Sequence, residues 1–232
     1  MHPIWKYIHA IETETMEKLP NNFDFIAIEG VIGAGKTTLA KSLGERRQAR
    51  LVLEEFEGNP FLPKFYENRE RYAFQTQLSF LASRFQQQQA LKSQDLFQSL
   101  TISDYIFDKD RIFARINLPE DELALYDRIF KIMSDIAPTP DLVVYLQSNI
   151  DRLLYNIQKR DRSYEHHITR EYLQELSEAY NHFFYYFNDS PVIIINATEL
   201  DFVTYENQLD TIEEQIFNRP IRGKTHLNIR PK

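Results

Sequence analysis

Gly30-Val31-Ile32-Gly33-Ala34-Gly35-Lys36-Thr37 fits the pattern G-x-x-x-x-G-K-[ST]. The chemistry this allows is phosphate binding. Glycines let the backbone turn sharply enough to aim several N–H groups at phosphate oxygens. A helix starting at the end of the segment adds the partial positive charge of its N-terminus. Lys36 reaches the outer phosphates, and the Thr37 hydroxyl is a ligand for Mg²⁺. Ala34 and Thr38 complete the expected nucleotide-binding set. A second group of candidates consists of carboxylates behind short apolar runs: Glu54-Glu55 after Leu51–Leu53, and Asp104 after Leu100–Ser103. One could take the proton of an attacking hydroxyl while another partners Mg²⁺. On spacing alone, capping or solvation explains these carboxylates equally well. The guanine-reading element N-K-x-D does not occur in the chain, which argues against a GTPase.

These residues need a frame. Phe23–Glu29 is apolar and ends in the glycine-rich turn, the pattern of a buried strand, and a helix starts at Thr37–Leu43. Leu51–Leu53, Leu100–Ser103, Leu142–Leu146 and Val192–Ile195 read as further strands. Helices are expected at Ile4–Leu19, Arg69 to about Lys92, Glu120–Ile136, Asp151–Gln158 and Arg170–Phe187. Strands alternating with helices predict an α/β fold of the P-loop kinase type: a five-stranded parallel sheet with helices on both faces. In such a sheet the ligand sits beyond the carboxyl ends of the strands, where Glu54, Glu55 and Asp104 fall. The tail from Pro220 to Lys232 is basic and aperiodic and reads as disordered or as an interaction arm. Residues 1–232 are expected to form one domain, with an N-terminal helical extension over 1–20 and this tail over 220–232.

Composition narrows the class. The chain has 232 residues, 43% hydrophobic and 26% charged, a globular balance. It has no cysteine, so disulfides and thiolate metal sites are excluded. The net charge of −7 argues against a duplex nucleic acid partner. Met1–Leu19 is amphipathic with three glutamates, unlike a signal peptide. No run of about 18 apolar residues exists to cross a membrane. The expectation is a cytoplasmic protein.

The chain resembles the deoxynucleoside kinase family, which includes deoxycytidine, deoxyguanosine and bacterial deoxyadenosine kinases. The resemblance spans Phe23 to Asn196 and rests on ordered motifs. Ile28-Glu29-Gly30 opens the P-loop. Leu53-Glu54-Glu55-Phe56 with Asn59-Pro60-Phe61-Leu62-Pro63 is similar to the bacterial branch. Lys64-Phe65-Tyr66, Arg71–Gln77, Ser83-Arg84-Phe85, Asp110-Arg111-Ile112-Phe113-Ala114 and the lid-like Lys159–Glu165 follow. The resemblance implies Glu55 as the base for the sugar 5′-hydroxyl, with Glu54 the fallback if the register is off by one. It implies Tyr66 and Glu165 for the 3′-hydroxyl and Gln77, Arg84 and Asp110 for the base. Gln77 and Arg84 stand two helical turns apart on one face, so they can meet one flat base together. Phe80, Phe85 and Phe113 could sandwich that base, or simply belong to the core. Arg160 and Arg162 would close over the triphosphate as catalytic cations.

Two departures stand out. Many relatives carry an acidic-Arg-Ser triplet after the third strand, and this chain has Asp104-Tyr105-Ile106. Asp104 keeps the acidic role toward Mg²⁺. The arginine is gone; its substitute is another cation such as Arg111, or else the lid carries the load. Asp161 also stands where relatives often have glycine. The resulting expectation is a kinase that uses ATP (or another NTP) and Mg²⁺ to phosphorylate a deoxynucleoside in nucleotide salvage. Deoxyadenosine comes first, with deoxyguanosine and deoxycytidine open. The resemblance also implies a homo-oligomer, dimer or higher. The rival readings are a nucleoside monophosphate kinase of thymidylate kinase type and a non-catalytic nucleotide sensor.

Overall fold

The computed structural model describes residues 23–91 and 99–229. The expected helix at Ile4–Leu19 lies outside them. One all-parallel sheet organises the described chain. Its strands are β1 (Phe25–Gly30), β2 (Arg50–Val52), β3 (Thr101–Ser103), β4 (Leu142–Gln147), β5 (Val192–Asn196) and β6 (Lys224–Leu227), in the order β2-β3-β1-β4-β5-β6. β1, β4 and β5 are nearly all apolar and buried, as strands covered on both faces must be. Each fully buried Ile or Leu among them contributes about 1.5–3 kcal/mol relative to an exposed one.

The helices follow the expected alternation: α1 (Lys36–Arg47), α2 (Leu62–Glu67), α3 (Arg69–Leu91), α4 (Lys109–Asn117), α5 (Glu120–Ser134), α6 (Ile150–Arg160), α7 (Arg170–Tyr186) and α8 (Glu206–Phe217). A 3-10 turn, Ser163–His167, separates α6 from α7. Among the described residues no helix is long and apolar enough to cross a membrane. Aromatic packing fixes α7 on the sheet, with the Tyr145 and Phe184 rings stacked at 4.2 Å.

The tail departs from expectation. It supplies β6, which pairs parallel with β5 through Val192–Ile195 opposite Lys224–Leu227. The sheet therefore has six strands where five were expected. β6 carries no apolar alternation because it is an edge strand, held by backbone hydrogen bonds with its side chains partly or fully exposed. The short helices α2, α4 and α8 were also not expected.

β1 lies between β3 and β4: the chain runs from it to β2 and β3 on one side and then crosses to β4, β5 and β6 on the other. This is the switch point at which a crevice opens beyond the strand ends. The P-loop leaves β1 there.

Candidate active site

The P-loop is shaped by contacts that only glycine permits. A Cβ on Gly30 would stand 2.6 Å from the Leu146 carbonyl oxygen. Gly33 has φ +85°, and its Cβ would meet the Leu153 carbonyl at 2.8 Å. Asn156 of α6 donates to the Gly33 carbonyl at 2.7 Å, so the loop is held against the helix that ends at Arg160. Lys36 donates to the carbonyls of Gly30 (2.8 Å) and Val31 (3.2 Å). Burial and the nearby Lys109 charge push the Lys36 ammonium down to about 8, against the pull of Glu29, Glu54 and Asp104. Thr37 donates its hydroxyl proton to Asp104 Oδ2, and Asp104 Oδ1 accepts the Glu54 backbone N–H at 2.7 Å. Asp104 thereby ties the P-loop to the end of β2.

Glu54 extends into the cleft from β2. It is ion-paired to Arg84 of α3 and to Lys109 of α4, the latter at 2.5 Å. Burial works to raise its carboxyl, but Lys109 and Arg84, aided by Lys36, outweigh it and hold Glu54 far below the usual range. Arg84 is buried and also pairs with the buried Asp110. Its guanidinium lies 5.0 Å from the Phe80 ring centre and 5.6 Å from that of Tyr105. Gln77, two turns earlier on α3, is 2% exposed. Gln77 Oε1 and Asp110 Oδ2 are buried with no hydrogen-bond partner. Buried polar atoms are seldom left unpaired, so a cleft lined by such atoms is prepared for a polar ligand.

The far wall comes from the segment after α6. Asp161 ends that helix at φ +52°, a left-handed conformation that Asp tolerates better than most residues. Arg160 forks onto Glu165 at 2.7 and 2.9 Å. Arg162 lies over the Phe56 ring at 3.9 Å and reaches Glu165 at 3.5 Å. Tyr66 stacks beside Tyr164 with ring centres 6.2 Å apart. Its hydroxyl is raised well above the usual value, chiefly by burial.

One cleft of about 790 Å³ thus gathers Gly33, Lys36, Thr37, Glu54, Tyr66, Gln77, Arg84, Asp104, Asp110, Arg160, Arg162 and Glu165. A second cleft of about 1,050 Å³, across the P-loop, takes Gly33, Ala34, Gly35 and Thr38 and shares Arg160. Gly30 is buried at the base of the loop. The expectation for Glu55 needs correction. Its side chain is exposed and lines neither cleft. Beyond β2 neighbouring residues diverge, and Glu54 is the one directed inward. Arg111 does not substitute for the missing arginine either. It lies beside Asp127 at 3.5 Å and over Phe130, away from the cleft. Phe80 and Phe113 line the cleft, whereas Phe85 packs on the core.

Two buried charges were missed. Lys109 lines the cleft. It shares a helical stripe with Ile112, Phe113 and Ile116, and a lysine in an apolar stripe was the available signal. Glu29 is wholly buried at the end of β1 and accepts N–H donors from Gly30 (3.0 Å) and Ile106 (2.9 Å).

A parallel sheet with a P-loop at its switch point, facing strand-end carboxylates and a segment bearing two arginines, defines a P-loop phosphotransferase. The chain belongs to the deoxynucleoside kinase family: residues 26–222 match that family's model. It is 37% identical to a deoxyguanosine kinase of Bacillus subtilis (strain 168) over 161 residues, 69% of this chain and 78% of that one. It is 30% identical to a deoxyadenosine/deoxycytidine kinase of the same organism over 205 residues, 85% and 93% of the two chains. Among solved structures it resembles a deoxyadenosine kinase from M. mycoides with bound dATP, at TM-score 0.73 and 26% identity. That match covers 83% of this chain and 98% of the other. The protein is therefore an ATP-dependent deoxynucleoside kinase.

Proposed function

We propose that the protein transfers the γ-phosphoryl group of ATP to the 5′-hydroxyl of a deoxynucleoside, with deoxyadenosine the preferred acceptor and deoxyguanosine or deoxycytidine secondary. The observation that carries this reading is the convergence in one cleft of Lys36 and Thr37, the inward Glu54, and the unpaired acceptors on Gln77 and Asp110. Those acceptors favour a base with an amino group, and the Gln77 amide and Arg84 can donate to a ring acceptor. Relatives named for deoxyguanosine, deoxyadenosine and deoxycytidine support the acceptor class.

Glu54 is the base in this reading. Fully ionised yet weakly basic, it suits a loose transition state in which the hydroxyl proton leaves late. Orienting the hydroxyl is its larger contribution. Tyr66 and Glu165 hold the 3′-hydroxyl, and an acceptor bound there would draw Glu165 away from Arg160 and leave that arginine free for the phosphates. Thr37 and Asp104 offer two hard oxygen donors side by side, a set that fits Mg²⁺ with phosphate oxygens completing the shell. Mg²⁺ when bound would offset the charge of the triphosphate. The cleft across the P-loop takes the donor's nucleoside part. We place this activity in nucleotide salvage in the cytoplasm. Leu125 and Ile132, exposed on α5, support a homo-oligomer joined through helices.

Steady-state kinetics with ATP and the four deoxynucleosides test the reading. Deoxyadenosine is expected to have the highest kcat/KM; a highest value for thymidine overturns the assignment of Gln77, Arg84 and Asp110. Turnover of nucleoside monophosphates but not nucleosides would refute the 5′-hydroxyl acceptor.

A further inference from the structure

Lys109 begins α4, is 4% exposed, and places Nζ 2.5 Å from Glu54 Oε2 at the junction of the acceptor and phosphate sides of the cleft. A buried ammonium is costly to maintain. The local pairing does not require this one. Arg84 already touches both Glu54 and Asp110, so neither carboxylate would stand alone without Lys109. Tyr105 occupies the place of the arginine found in the family the chain resembles, and it spends its hydroxyl on Gln87 at 2.7 Å. Four residues later, beyond a non-helical turn, Lys109 brings a positive charge into the cleft.

We propose that Lys109 is a catalytic cation that passes from Glu54 to the transferred phosphoryl group during the reaction. The proposal rests on the reading of Glu54 as proton acceptor. In the transfer, the bond from the 5′-oxygen to the γ-phosphorus forms, and the bond from that phosphorus to the β,γ-bridging oxygen breaks. The electron pair of the broken bond leaves with the nucleoside diphosphate, and the hydroxyl proton goes to Glu54. The 5′-hydroxyl that donates to Glu54 competes for the carboxylate that held Lys109. The ammonium becomes available as the phosphoryl oxygens and the bridging oxygen need a donor. An interaction that strengthens only on the way to the transition state raises kcat and leaves ground-state binding alone.

The test uses the full chain with ATP, Mg²⁺ and a deoxynucleoside. Lys109→Met is expected to lower kcat by about 100-fold, with KM for both substrates changed less than about threefold. Lys109→Arg, which keeps the charge, is expected to retain about a tenth of the wild-type kcat or more. In a Glu54→Gln background, where residue 54 carries no charge to hold it, Lys109 is free from the start, and Lys109→Met should still cost about tenfold or more. A kcat for Lys109→Met within about threefold of wild type, a loss confined to KM, or a loss that vanishes in the Glu54→Gln background would each overturn the proposal. Lys109→Gln carries the same expectations and decides the matter if the Met variant does not fold. A wild-type chain that phosphorylates no deoxynucleoside overturns the parent reading and this one together; an active wild type with an indifferent Lys109 overturns this one alone.

Discussion

On the side of the cleft proposed for the phosphate donor, the groups offered are mostly main chain: the turn from Gly30 to Gly35 and the first N–H groups of α1. On the side proposed for the acceptor they are side chains from separate elements, with Glu54 after β2, Gln77 and Arg84 on α3, Lys109 and Asp110 on α4, and Glu165 after α6. Backbone chemistry tolerates any side chain that permits the turn. Side-chain chemistry depends on which way each residue points. The donor half should therefore fail through geometry, and the acceptor half through charge and register.

The sharpest break in that comparison is the adjacent pair of glutamates. Glu54→Gln is expected to reduce kcat by about 1,000-fold, roughly 4 kcal/mol of transition-state stabilisation. Glu55→Gln, one residue away and exposed, should stay within about twofold of wild type. Steady-state kinetics on the two variants decide the register, and the reverse pattern would restore Glu55 as the base.

A stability measurement probes the same half from its centre. Arg84→Met leaves Asp110 buried without its ion-pair partner and takes one of two from Glu54. Urea unfolding should show a loss of about 3 kcal/mol. A loss below about 0.5 kcal/mol would mean that the cluster is solvated like a surface pair. On the donor side, Gly33→Ala meets both a φ of +85° and the Leu153 carbonyl at 2.8 Å. The expected cost is about 2 kcal/mol, accompanied by weaker ATP binding in a direct titration. Gly58→Ala, with nothing nearer than 3.8 Å, is the matched control.

The same contrast explains what could be read in the sequence. The P-loop was legible because its function is written in consecutive residues whose types follow from backbone geometry. β1, β4 and β5 were legible because burial on both faces makes them continuous apolar runs. β6 was not, since an edge strand needs only backbone partners. On the acceptor side, motif order located the right segments. Choosing between Glu54 and Glu55 required knowing how the chain turns after Val52, which local sequence does not encode. Lys109 escaped for a related reason: its importance lies in meeting Glu54, 55 residues away in sequence.

Glu29 sits where the two halves join, and it gives the smallest expected effect. Its two oxygens accept from Gly30 on the donor side and Ile106 on the acceptor side. Burial raises its pKa above 4.5, opposed by Lys109, Lys36 and the two backbone N–H groups. A carboxyl whose folded pKa is raised contributes stability that is complete below the unfolded value and is lost as pH rises through the folded value. Glu29→Gln removes that titration and leaves one N–H facing an amide NH₂, a cost of about 1–2 kcal/mol. The stability gap between wild type and variant should therefore be widest at acid pH, near 4.5, and narrow as pH rises. Chemical unfolding of both proteins at a series of pH values reads the gap directly. A gap that widens with pH would mean that Lys36 and Lys109 dominate over burial, and that the carboxylate is an ionised strut joining the two halves.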